Sequence, residues 1–500
     1  MTKAFSRRMF LGAALGFVAT VAQASPPSRS LRPVARPGST KPIVKTFPSA
    51  EQLVREAKVS GQVGYAVMDV GTGQMQEEGQ ADVGLPPASV AKAVTALYAL
   101  DALGEGHRFA TTVHANGTVS DGVLSGDLIL AGGGDPTLGT DELADLAAAL
   151  KAAGIREVTG DFLVWGGYLP FADRIDVEQP AHVAYSPAIS GLNLNFNRVY
   201  FQWVRAGDGY EVSMDARSGR HRPDVAVARM SVEDRSTPVY TYVDEDGIDT
   251  WTVARGALGK EGARWLPVRK PEIYAGEVFQ ILARSHGIVL KAPKVTRDAP
   301  EGAALAEVTS APLTEILRDM LEYSTNLTAE VVGLAATKAR GVEADGLVAS
   351  AQAMTQWLRD EYGVSPDVSL VDHSGLGGQS RMTAADMVLT LRAARTAGPL
   401  RSLLKPIPLR NEKRQIIDDH PVEVDAKTGT LNFVSALAGY STAIDGSELA
   451  FAIFTADTER RDALTMAQRE RPEGGRAWIA RSRKLQQRLL QRWGQAFVNS

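Results

Sequence analysis

The chain has 500 residues, 44% apolar and 22% charged, the mixture of a folded globular protein with room for about three domains. Its 54 Lys and Arg against 58 Asp and Glu give −4, yet the first 47 residues hold eight bases and no acid, which leaves 46 bases against 58 acids, or −12, for residues 48–500. A body of that sign does not suit phosphate-backbone binding, so no nucleic-acid partner is expected, and the absence of cysteine excludes thiol nucleophiles, disulfides and Cys-ligated metals.

In chain order, Ser6-Arg7-Arg8-Met9-Phe10-Leu11 leads into a 14-residue apolar run, Met9 to Ala22, and Ala22-Gln23-Ala24 supplies small residues for cleavage. The run is short of the roughly 20 residues a membrane span needs, so residues 1–24 read as a twin-arginine export signal, with the periplasm as destination. Residues 25–48, with six prolines and five bases, read as an extended linker. The folded part is expected to open with a β-hairpin, Gly64 to Asp69 and Gln74 to Gly79 around Gly71-Thr72-Gly73. Pro86-Pro87 then starts a buried helix over Ala88 to Tyr98. Residues 110 to 300 are rich in Gly, Asp and short strand-like runs such as Asp127 to Ala131 and Asp161 to Trp165, with a helix at Tyr274 to His286. Helical periodicity returns at Leu313 to Glu322, Ala329 to Lys338 and Ala384 to Ala397. Two strands, Ala436 to Ala443 and Leu449 to Ala456, flank Asp445-Gly446, and a helix follows from about Ala477 to Phe497.

Ser89 and Lys92 stand three apart on the first helix, so hydroxyl and amine share a face. A serine hydroxyl needs a base, and a lysine serves as one only when desolvation or a nearby cation keeps it neutral. The pair is weak evidence alone: Ser-x-x-Lys is expected about twice by chance in such a chain, and it recurs as Ser402-Leu403-Leu404-Lys405, which runs into Pro406 and reads as a helix end. Two further motifs support the first copy. Ser324-Thr325-Asn326, between two helices, offers a hydroxyl to relay a proton and an amide to hold a carbonyl. Lys427-Thr428-Gly429-Thr430 precedes the terminal strands; its lysine suits a carboxylate and is expected to depress the pKa of a neighbouring lysine, while its glycine lets an acyl group approach the strand edge and a backbone N–H there join that of Ser89 in an oxyanion hole.

In this order the three motifs resemble those of the active-site serine penicillin-recognising enzymes. The 235 positions from Ser89 to Ser324, with Gly126 to Leu138, Tyr185 to Asn193 and Val434 to Tyr440, are similar to the class C low-molecular-mass penicillin-binding proteins, D-alanyl-D-alanine carboxypeptidases and endopeptidases. The resemblance implies an α+β fold: a transpeptidase/β-lactamase-like catalytic domain, 50–109 with 304–500, in which an antiparallel sheet flanked by helices meets a helical lobe. Two nested β-rich inserted domains are implied, one of 110–199 with 266–303 and one of 200–265. It also implies that Ser89 is acylated, with Lys92 as its base. Ser324 would protonate the leaving amine and Asn326 would bind the substrate amide. Lys427, Thr428 and Thr430 would hold substrate beside Gly429, with peptidoglycan peptides as substrate and β-lactams as covalent ligands. Thr325, where Asp or Asn is more usual, and His373, where glycine is usual, depart from the pattern.

Asp372-His373-Ser374 is not a catalytic triad, since adjacent residues cannot point at one another. The glycines at 132–134 lack a following Gly-Lys-Ser/Thr and read as a turn, and the seven histidines show no metal-binding spacing, so neither cofactor nor metal is expected. The last helix sets Arg483, Lys484, Arg488 and Arg492 against Leu485, Leu489, Trp493 and Phe497. Peripheral membrane contact is one use of such a helix, and packing on the terminal sheet is the favoured one. A wall-binding scaffold without turnover, or a β-lactamase, are the alternative functions. Neither the balance of carboxypeptidase to endopeptidase action nor the oligomeric state is written in these motifs.

Overall fold

The structure, a computed structural model, describes residues 48–497. The expected export signal, and the expected linker up to residue 47, lie outside the described residues.

A six-stranded antiparallel sheet runs in the order Lys405–Pro406, Glu423–Leu431, Val434–Thr442, Glu448–Ala456, Gln62–Asp69, Met75–Gly79. Its central strands are buried on both faces, and the alternation of side chains assigns each face its own core. Ala66, Ala436, Ala438, Tyr440, Ala450, Ala452 and Phe454 join the core of the helices Ala91–Leu103, Leu313–Tyr323, Asn326–Ala339, Leu347–Tyr362 and Ala384–Ala397. Tyr65, Val67, Leu437, Phe451 and Ile453 face the helix Ala50–Ala57 and the C-terminal helix Gly475–Ala496. That second core takes up Leu485, Leu489 and Trp493, so the apolar side of the C-terminal helix covers the sheet and is not left for a membrane. The inner helix Ala91–Leu103 is buried from Ala91 through Ala99, as its apolar residues on every side require.

Most buried apolar residues from Val113 to Ala306 build a separate core, whereas Leu169, Ile175 and Ile189 join the core of the helices. Strands Pro293–Val295, Phe162–Trp165, Val123–Gly132, Ala110–Ser120 and Ala306–Thr309 form a mixed sheet. Two three-stranded sheets follow, Glu261–Pro267, Arg198–Ala206, Gly209–Asp215 and Tyr240–Glu245, Ile248–Ala254, Ala228–Glu233.

Three helices of eight or more residues lie where sequence periodicity placed none. Ala50–Ala57 precedes the opening hairpin, with Ser49 Oγ accepting from Gln52 N at 3.2 Å as its N-cap; it buries only Ala50 and Leu53, too few for a periodic signal. Thr140–Ala152 interrupts the β-rich middle, where Gly and Asp in the flanks masked its apolar stripe. Leu347–Tyr362 packs on the inner helical core and stops at Gly363, at φ 66.

Candidate active site

Ser89 lies in a 3-10 turn, Ala88–Val90, that runs directly into the helix Ala91–Leu103. Ala88 is held at φ 46, a conformation that side-chain-bearing residues avoid and that packing must enforce. Lys92, in the first helical turn, is fully buried. Its Nζ is 3.0 Å from Ser89 Oγ, 2.8 Å from Asn326 Oδ1 and 2.7 Å from Ser374 O. The last two can only accept. A neutral amine therefore donates its two N–H groups there and turns its lone pair to the Ser89 hydroxyl. Burial pushes the Lys92 pKa down to about 8, against the pull of Asp372 and Glu330.

Ser324 ends the helix Leu313–Tyr323 in a left-handed conformation, φ 59 and ψ 40, and Asn326 opens the next helix. The turn between them aims both side chains into the cleft. Asn326 Nδ2 donates to Tyr185 O at 2.9 Å, which orients the amide and leaves its second N–H to point elsewhere. Lys427, on the strand Glu423–Leu431, is also buried; its Nζ donates to Ser324 Oγ at 2.9 Å and Thr428 O at 2.8 Å. A Cβ on Gly429 would come within 2.7 Å of Pro87 O and 3.0 Å of Ser89 N, so only glycine lets residues 429–430 run alongside the nucleophile turn. The short strand Lys405–Pro406 pairs only with 425–426, so among the described residues no strand covers the outer edge of 427–431. Thr430 is exposed there, its Oγ1 accepting from Arg483 at 3.3 Å.

All eight motif residues thus meet in one place, whereas Ser402 and Lys405 do not: Ser402 Oγ donates to Pro399 O, and Lys405 Nζ reaches Glu322 O. One electrostatic expectation is corrected. Lys427 does not depress Lys92, which burial alone lowers. Lys427 itself is pushed down to about 6, first by burial and then by the charges of Lys92 and Lys405. Repulsion between two ammoniums is mutual, and it falls on the one with less compensation: Lys92 has the carboxyls of Asp372 and Glu330 beside it, whereas Lys427 has Glu322 alone against a further cation, Lys405.

Sequence reasoning missed the layer behind Lys92. Glu330, buried in the helix Asn326–Ala339, accepts from His373 N at 3.0 Å and Ser374 N at 2.9 Å, fixing the loop that presents Ser374 O to Lys92. Accepting with both oxygens favours the anion, while burial and the neighbouring Asp372 push its pKa up, to about 8. Asp372, pushed up mainly by burial, accepts from Gly375 N at 2.6 Å and Gly377 N at 2.5 Å. One signal could have found Glu330: it is the single charge in a run, Leu327 to Thr337, that is otherwise apolar or hydroxyl-bearing. His373 fills a structural site. Its ring lies over Gly333, where no Cβ would fit, its Nε2 meets Ser350 Oγ at 2.8 Å, and burial pushes its pKa down to about 3.

Ser89, Ser324, Asn326 and Thr430 open onto a cleft of about 1420 Å³ whose far wall is the C-terminal helix. Among the described residues no cluster of His, Asp or Glu is placed to hold a metal. The geometry offers a hydroxyl with a desolvated amine as base, a second hydroxyl backed by a cation, and an open strand edge, the equipment of acyl transfer through a covalent ester.

Comparison with known proteins agrees. The model of the D-Ala-D-Ala carboxypeptidase 3 (S13) family matches residues 50–471. The chain is 29% identical over 435 residues to a D-alanyl-D-alanine carboxypeptidase of Actinomadura sp. (strain R39), covering 81% of this chain and 79% of that one. It is 24% identical over 428 residues to the D-alanyl-D-alanine carboxypeptidase DacB of Haemophilus influenzae, 81% and 88% of the two chains. The crystal structure of penicillin binding protein 4 (dacB) from Haemophilus influenzae shares the fold, with a TM-score of 0.71 at 20% identity over 89% of this chain and 100% of that one.

Proposed function

The chain belongs to the D-Ala-D-Ala carboxypeptidase 3 (S13) family, and from that premise we propose that it cleaves the peptide bond after D-alanine in peptidoglycan through an ester on Ser89. The observation that carries the assignment is the Lys92 amine, buried and held by Asn326 Oδ1 and Ser374 O with its remaining position on Ser89 Oγ. Lys92 takes the hydroxyl proton as Oγ bonds to the carbonyl carbon. The oxyanion sits on the backbone N–H groups of Ser89 and Thr430. As the C–N bond breaks, the proton that Lys92 took from Ser89 passes to the departing amine by way of the Ser324 hydroxyl, which Lys427 Nζ holds in place by donating to it, and Lys92 is neutral again. Lys92 then takes a proton from water as the water oxygen bonds to the ester carbonyl carbon, and returns it to Ser89 Oγ as the ester C–O bond breaks.

Asn326 holds the substrate amide with its second N–H. The uncovered edge of 427–431 takes the substrate as an added strand, with Lys427 and Thr428 on its terminal carboxylate. That carboxylate restores the charge on Lys427, because an anion at contact raises the pKa of a buried amine. β-Lactams acylate the same serine. The single core shared by residues from Val113 to Leu290 supports an insert within a catalytic domain of 50–109 and 304–500, and the resemblance divides that insert into two domains, 110–199 with 266–303 and 200–265. Export to the periplasm is assigned to residues 1–24, and replacing Arg7 and Arg8 with Lys should leave precursor in the cytoplasm.

Mass spectrometry after incubation with a labelled penicillin tests the nucleophile. The adduct should sit on Ser89 and be absent from Ser89→Ala; label on Ser402 would overturn the assignment. Muropeptides digested with the wild-type chain should lose terminal D-alanine or pass from cross-linked dimers to monomers. If they do neither while penicillin binds, the chain is a wall-binding scaffold.

A further inference from the structure

The cleft is far larger than two alanines require, and its outer part is strongly cationic although residues 48–500 are acidic overall. Nine Lys and Arg line it against two Glu. Three of the nine are paired: Arg469 with Glu178 at 3.0 Å, Lys484 with Glu412, and Arg488 with Glu56 at 2.8 Å. Among the described residues, Arg410, Arg414, Arg461, Arg471, Arg476 and Arg483 have no carboxylate within salt-bridge distance.

Arg461 is the most telling. It is only 9% exposed, and its Nη1 has one long hydrogen bond, 3.4 Å to Asn432 O. A guanidinium this desolvated is costly to the fold unless an anion answers it, and the carboxylates that act on Arg461, those of Asp176, Glu178 and Asp462, stand beyond salt-bridge distance and are opposed by Arg469. It lines the same cleft as Ser89. From there the groove follows one side of the C-terminal helix from Gly475 to Gln491, which at 1.5 Å per residue is roughly 24 Å, the length of roughly seven residues of extended peptide.

We propose that this arginine-walled groove binds the carboxylate-bearing peptides of the cross-linked wall, so that the polymer, rather than a single stem peptide, is the preferred substrate. The inference rests on the peptidase reading for its chemistry, but the groove is testable without turnover. A strand leaving the reacting bond passes Arg461 and continues along the helix, where Arg476 and the Arg410–Arg414 loop flank it. Peptidoglycan peptides carry several free carboxylates, and repeated anions at peptide spacing are what a line of unpaired guanidiniums recognises.

Wall sacculi stripped of phosphate polymers are co-sedimented with the Ser89→Ala chain, before and after amidation of their carboxylates. Retention is expected on the untreated carboxylates, falling as salt rises and lost after amidation. The exposed pair Arg414→Gln/Arg476→Gln, and separately Arg461→Met, should weaken it on the order of tenfold; Arg229→Gln/Arg318→Gln, which removes as much charge from other surfaces, should not. With Ser89 restored, Arg414→Gln/Arg476→Gln should hydrolyse a short tripeptide ending in D-Ala-D-Ala, its other charges blocked, at the wild-type rate. Retention that survives amidation, that requires the phosphate polymers, or that the control pair weakens equally overturns the groove. Failure of the wild type both to cleave the tripeptide and to open cross-linked muropeptides overturns the peptidase reading instead, and the sedimentation result still decides the groove.

Discussion

Two lysines are buried within one cleft, and their surroundings differ. Lys92 lies at the floor, with acceptors for two N–H groups and two carboxyls behind it; Lys427 lies at the strand edge, with a hydroxyl, a backbone carbonyl and two other cations around it. Burial lowers both pKa values, to about 8 and about 6. Carboxylates near Lys92 hold its pKa close to neutrality, where an amine can take and return a proton. Lys427 has only the weaker pull of Glu322 to set against Lys92 and Lys405 until an anion arrives, which fits it to sense a substrate carboxylate. Burial alone does not assign a lysine its role; the charges packed around it do.

The largest test removes the floor. Lys92→Met should cut D-Ala-D-Ala hydrolysis by about 10⁴-fold or more, since it removes the base hydrogen-bonded to Ser89 Oγ, and it should raise the pKa of Lys427 by deleting a repelling charge. Steady-state rates and lysine titration by NMR read the two effects; a Lys427 value that stays near 6 would break the link between the sites.

Lys427→Ala should cost about 10²–10³ in turnover, and much less for a substrate whose terminal carboxylate is amidated. Its pH profile sharpens the comparison. Wild-type kcat/KM should rise with pH as Lys92 loses its proton, with a limb near 8, and the limb should stay near 8 in Lys427→Ala because burial sets it. A limb displaced by a full unit would mean that Lys427 is charged in the resting enzyme.

Stability should respond to acid through His373, behind Lys92. Its folded pKa is pushed down to about 3 by burial, below an unfolded value of about 6.5. The unfolded chain therefore binds a proton that the folded chain refuses. The His373 contribution is complete above pH 6.5 and is lost as pH falls toward 3, on the order of a few kcal/mol. Denaturant melts should show that slope, and His373→Gln should flatten it.

The smallest effect is expected at Glu330→Gln, which leaves one of the His373 and Ser374 N–H groups without an acceptor. That costs about 1–3 kcal/mol, and the loosened Ser374 carbonyl should move the Lys92 limb. An unchanged limb with lowered stability would show that Glu330 only supports the fold.

Much of this protein was legible in its residues. Ser89 with Lys92, and Lys427 with Gly429, are short-range patterns whose chemistry follows from residue type and spacing, and Asp445-Gly446 between the apolar runs 436–443 and 449–456 marks a hairpin because those residues suit a tight turn. The same local rules separated Ser89 from Ser402. What tertiary structure alone decided is everything that depends on approach between distant segments. Asn326 reaches Lys92 across 234 positions, Glu330 steadies a loop 43 and 44 residues away, and the arginines of 410–414, 461 and 471–483 converge on one groove. Desolvation and Coulomb energy depend on distance in space, so no reading along the chain could set the pKa of either lysine or foresee which of the two carries their repulsion.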